Sequence, residues 1–115
     1  MFNYYIYRTY FNAKHSFNGD ITKIHGHSFT VVTYIGMKDS KEDIPFFKLE
    51  AIISSFIDQY RGRYLNELPE FEGCGNTLET IGDYFYEKLR KQLMKSGMEL
   101  YQLDISENPL CVYQV

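Results

Sequence analysis

The hydrophobic period changes twice along this chain, and that limits it to one class of fold. Leu49, Ile52, Ile53, Phe56 and Tyr60 recur at helical spacing, and so do Ile81, Phe85, Leu89 and Leu93. On either side lie segments dense in aromatic and β-branched residues. Residues 2–11 (FNYYIYRTYF) and 27–35 (HSFTVVTYI) read as strands, with Asn18-Gly19-Asp20 supplying turn chemistry between them. Residues 36–43 form a polar loop. Residues 98–106 and 110–115 read as two further strands around an Asn108-Pro109 turn. Pro45 suits the first turn of the first helix, with Asp43 or Ile44 just outside it. A polar, glycine-containing stretch over 61–75 precedes the second helix. Asn76-Thr77-Leu78-Glu79 has the form of a capping box there, and Gly97 is a plausible stop. The order β-β-α-α-β-β predicts an α+β domain, an antiparallel four-stranded sheet with two helices on one face. A split β-α-β nucleic-acid platform needs another order.

At 115 residues the chain is expected to form one domain, 1–115. Composition narrows the partners. Twelve Lys and Arg against 15 Asp and Glu leave a net charge of −3, the wrong sign for a phosphate backbone, so nucleic acid is not expected. Eleven Tyr and nine Phe, with no Trp, favour strands and subunit interfaces. Two cysteines make no disulfide framework. No apolar run reaches the roughly 18 residues of a membrane span, and no leader pattern opens the chain. A cytoplasmic protein without a membrane partner is the expectation.

All three histidines, His15, His25 and His27, fall at the ends of the two N-terminal strands. His25 and His27 project from one face about 7 Å apart along a strand, and a hairpin returns His15 beside them. Three neutral imidazoles match a catalytic zinc, which takes three protein ligands and leaves one position open. The alternative is surface or internally satisfied histidines.

Phe11-Asn12-Ala13-Lys14-His15, His25-Gly26-His27-Ser28-Phe29, Leu65-Asn66, Asn76-Thr77-Leu78-Glu79 and Ser106-Glu107, in that order, closely resemble the 6-pyruvoyl-tetrahydropterin synthase family. That family includes the 6-carboxytetrahydropterin synthase of queuosine biosynthesis. The resemblance covers nearly the whole chain. It implies the tunnelling fold (T-fold), assembled as a trimeric barrel and often a hexamer, with zinc on His15, His25 and His27. It also implies a pterin anchored by Glu107 and supported by Thr77 and Glu79. A carboxylate accepts the pterin's ring N–H and amino group together, which makes chemical sense of that anchor. Glu79 and Thr77 also read as helix-cap residues, and Glu107 as a surface carboxylate.

The pattern breaks at the proton-transfer residues. The family's cysteine falls at Ile21, its Asp-His pair at Arg61 and Gly62, and its acidic residue at the start of the first helix near Pro45. Asp20, Cys74, Tyr60 and Tyr64 are the residues that could take over proton transfer, the tyrosines only with lowered pKa values. Arg61 and Arg63 are candidates for a phosphate-bearing ligand, and Cys111 reads as core. Three readings follow. One is a zinc-dependent lyase eliminating triphosphate from a pterin such as 7,8-dihydroneopterin triphosphate. The others are a non-catalytic zinc- and pterin- or purine-binding protein, and a pure assembly protein.

Overall fold

The computed structural model describes residues 4–15, 25–37, 43–71, 77–108 and 110–115, without the side chains of His15 and His25. The Asn18-Gly19-Asp20 turn, Ile21, Cys74, Asn76 and Pro109 lie outside the described residues. Four strands, β1 (Tyr5–His15), β2 (His25–Met37), β3 (Met98–Asn108) and β4 (Cys111–Gln114), pair antiparallel in the order β1-β2-β3-β4. Two helices, α1 (Phe46–Asp58) and α2 (Leu78–Met94), lie between β2 and β3 in the chain. Two short 3-10 turns, Leu65–Glu67 and Pro69–Phe71, join them.

The core forms where the helical stripes meet one face of the sheet. Phe11, Ala13, Phe29, Val31, Leu103 and Ile105 from the strands are buried against Leu49, Ile53, Phe56, Ile81, Phe85 and Leu89 from the helices. Phe11 and Phe29 are cross-strand partners, their rings stacked at 5.0 Å. Phe85 meets Phe56 at 5.1 Å and Tyr60 at 4.9 Å. Each such aromatic pair adds about 0.5–1.5 kcal/mol beyond its buried area.

Strand β3 departs from simple alternation. Met98 and Leu100 are buried, and then Leu103 and Ile105. Tyr34 pairs with Gln102 while Ile35 pairs with Leu100, so Tyr101 is the extra residue of a bulge. One additional residue switches which parity faces the core, and the sequence therefore alternates only in part.

Several boundaries differ from the sequence-based expectation. Strand β1 extends to His15, and β2 begins at His25 and runs to Met37. Pairing continues to the hairpin's end, beyond what β-propensity alone suggests. Pro45 is the N-cap of α1 rather than a first-turn residue. Thr77 is the N-cap of α2, its side chain accepting from the Thr80 backbone N–H at 3.2 Å. Glu79 is therefore one place short of the capping-box position. Cys111 is exposed, because β4 is a short edge strand. Gly97 has a φ of +75°, the left-handed conformation that ends α2 and turns the chain into β3.

Candidate functional site

The antiparallel connection at Gly97 sets the start of α2 beside the end of β3. Gly82 shows this directly, since a Cβ there would stand 2.9 Å from Ile105 Cγ2. The end of β3 is in turn the start of β2, with Thr30 opposite Ser106. The end of β1 meets the same place, with His15 opposite His25 and Ala13 opposite His27. Thr77, Glu79, Glu107 and the three histidines are thus drawn from four elements to one end of the molecule. Positions 15, 25 and 27 share the face of the β1–β2 ladder to which Phe11 and Phe29 belong.

His27 and Glu107 meet, with Nε2 3.4 Å from Oε2 and both side chains half-buried. The His27 ring also lies edge-on to Phe29 at 6.3 Å. An imidazole on an apolar ring and beside a carboxylate is oriented from two sides. Glu107, emerging next to buried Ser106, is held at the site by the sheet. Among the described residues no group of three or more His, Cys, Asp and Glu side chains converges on one point.

The segment after α1 closes the edge of β1. Gly62 N–H donates to Asn12 O at 2.6 Å, Lys14 N–H donates to Arg63 O at 2.9 Å, and Arg61 Nη1 donates to Tyr10 O at 2.9 Å. These are the outward-facing groups of alternate β1 residues, so the segment behaves as a short added strand. Gly62 has a φ of +74° with open space around it, so backbone conformation is what calls for glycine there. A depression of about 330 Å³ lies alongside, lined by Asn12, Lys14, Ser28, His27 and Gly62 among others. Ser28 Oγ donates to Asn12 Oδ1 at 2.7 Å across it.

The remaining candidates separate clearly. Arg61 is engaged structurally, its Nε also donating to Asp58 Oδ1 at 3.1 Å. Burial, and then a hydrogen bond with Tyr84, raise the Tyr60 phenol well above its usual range, opposite to the shift that proton transfer requires. Glu79 lies in the exposed first turn of α2. Asp20 and Cys74 fall outside the described residues.

The other face of the sheet carries a polar group outside the sequence motifs. Tyr34 Oη donates to Asp104 Oδ2 at 2.9 Å and Gln102 Nε2 donates to Asp104 Oδ1 at 2.8 Å, leaving Asp104 only 7% exposed. The signal was present in the alternation of β2 and β3, where polar residues fill the positions facing away from the helices.

Comparison with known proteins agrees with this architecture. The sequence matches the family model described as 6-pyruvoyl tetrahydropterin synthase over residues 5–115. The solved structure of Caenorhabditis elegans 6-pyruvoyl tetrahydropterin synthase superposes with a TM-score of 0.84 at 20% identity, covering 100% of this chain and 95% of that one. An uncharacterized protein from Wolinella succinogenes superposes at 0.74 with 15% identity, covering 100% and 98%. The Plasmodium falciparum 6-pyruvoyl tetrahydropterin synthase gives 0.66 at 16% identity, covering 98% and 96%. No curated protein matches by sequence.

Proposed function

The chain belongs to the 6-pyruvoyl tetrahydropterin synthase family, and from that premise we propose that it binds zinc through His15, His25 and His27 and holds a pterin on Glu107. The observation that carries this reading is the contact of His27 with Glu107 at the end where the other two histidine positions face each other. The donor set fits the metal: three imidazoles sharing one face leave a coordination position for substrate. Zinc, when bound, supplies a Lewis acid that polarises the oxygens of the substrate side chain.

The protein's own residues do the rest. Glu107 accepts the pterin ring N–H and amino group as a charge-assisted pair, each bond contributing about 1.5–3 kcal/mol. Half-burial of Glu107 beside His27 limits competition from water. Thr77 and Glu79, at the start of α2, border the same end and support the bound ring. Proton transfer has no evident agent among the described candidates: Arg61 is committed to the β1 edge and Tyr60 holds its proton more tightly than a free phenol. That observation favours a second reading, a zinc- and pterin- or purine-binding protein without the triphosphate elimination.

Assembly follows from the sheet. Strands β1 and β4 are edges, and a ring of subunits joined edge to edge removes such edges. Segment 61–63 occupies the C-terminal half of the β1 edge, so the pairing surface is its N-terminal half together with β4. A homotrimer or homohexamer is the proposed state.

The deciding experiment is triphosphate release from 7,8-dihydroneopterin triphosphate by zinc-loaded protein, against a His25→Ala/His27→Ala control. Release above control supports the lyase of the pterin or 7-deazaguanine pathways. Zinc and pterin binding without release supports the second reading. Loss of neither metal nor pterin binding in the control and in Glu107→Gln would overturn both.

A further inference from the structure

The sheet face turned away from the helices carries a polar cavity of about 410 Å³. Cross-strand register aligns Tyr10, Thr30 and Ser106 in one row, and Arg8, Val32 and Asp104 in the next. All six line the cavity.

The polar groups in it are unequally matched. Both carboxylate oxygens of Asp104 already accept a hydrogen bond, from Tyr34 and Gln102. Ser106 is only 8% exposed and opens into the cavity, yet its hydroxyl makes no hydrogen bond among the described residues. A hydroxyl placed so is free to donate to whatever enters the cavity. Arg8 likewise makes no ion pair among the described residues. Its charge acts on the Tyr34 phenol, opposing the rise caused first by the Asp104 hydrogen bond, and this is consistent with a guanidinium close to the cavity. Both Asp104 oxygens are in use while, among the described residues, the Ser106 hydroxyl and the Arg8 guanidinium are not, so an acceptor is the component that would complete the cavity.

We propose that this cavity is a second binding site, for a small organic acid carrying one negative charge. Its carboxylate is forked by the Arg8 guanidinium and accepts from the Ser106 and Thr30 hydroxyls. A single charge is specified by the neighbours: one guanidinium lines the cavity, and the Asp104 and Glu107 carboxylates, which line it too, repel a second negative charge. The volume lies within the range of small-molecule sites, roughly 300–1,000 Å³. The site is distinct from the one at the hairpin end. Glu107 borders both, but its Oε2 is turned to His27.

Calorimetric titration of the full chain with benzoate, and with sulfate as the dianion, tests the assignment. Saturable benzoate binding is expected, at least tenfold weaker in Arg8→Met and in Ser106→Ala, and partly retained in Arg8→Lys. Thermal melts establish that each variant is folded. No saturation by about 20 mM benzoate, a floor near −2 kcal/mol, would overturn the proposal, as would affinity indifferent to Arg8→Met. Sulfate binding as tightly as benzoate would overturn the single-charge assignment. Pterin binding is expected to survive Arg8→Met, so the two sites fail independently.

Discussion

The two faces of this sheet are built from the same strands and do different work. The face under the helices is apolar and closed, with Phe11, Phe29, Val31, Leu103 and Ile105 at most 1% exposed. The opposite face keeps a buried carboxylate, a buried hydroxyl and a guanidinium, and it exposes Tyr10 and Ile6 at 60% and 51%. The difference teaches that one face supplies the stability and the other is left available for recognition. A third region, the hairpin end, lies on the closed face's side where the helices run out, and there His27 and Glu107 replace the apolar residues.

The largest test of this contrast is in the core. Phe85→Ala is expected to cost about 3–5 kcal/mol in urea unfolding, because its ring is fully buried among Phe11, Phe56 and Tyr60. Glu107→Gln is expected to weaken pterin binding roughly a hundredfold, from the loss of a charge-assisted pair, while leaving stability nearly unchanged. Equal losses of both would show that the hairpin end is structural.

Gly82→Ala sharpens the comparison at closer range. The added methyl meets Ile105 and Tyr113 at 2.9 Å, and overpacking of about 1–3 kcal/mol outweighs the gain in helix propensity of about 1 kcal/mol. Thr77→Ala is expected to cost about 1 kcal/mol through loss of the α2 cap.

The smallest effects are those of pH. Tyr60, raised first by burial, and Tyr34, raised first by its hydrogen bond to Asp104, both hold their protons more tightly than a free phenol of pKa 10.0. Above that value the unfolded chain loses these protons first and binds fewer than the native state, so stability falls as pH rises. The contribution is fully present below pH 10 and is lost on the alkaline side. Unfolding measured across that range is expected to flatten in Tyr60→Phe, and less in Tyr34→Phe. An unchanged slope in both would remove the two phenols from the account.

Much of this is legible in the sequence. The helical stripes from Leu49 and from Ile81 turned up buried as expected, and the six elements came in the expected order. The motif residues were legible as residues, but their meeting was not. The β3 bulge at Tyr101 is hidden in the sequence because a parity switch looks there like weak alternation. Cys111 reads as core because strand cysteines usually are, whereas an edge strand with one partner buries little and leaves it exposed. The attachment of Gly62 and Arg63 to the β1 edge left no sequence signal, because backbone pairing does not depend on side-chain type.

The sequence by itself determined what each segment is. Helix and strand follow from periodicities of a few residues, and three histidines and a glutamate carry their donor chemistry wherever they are placed. Only the tertiary structure decided which of those segments share an end and which face each side chain takes. Register, the bulge and the turn at Gly97 set those relations, and each is a property of how strands and helices pair across the molecule. That is why His27 meets Glu107, 80 residues further along the chain, and why Arg8 and Ser106 come to line one cavity.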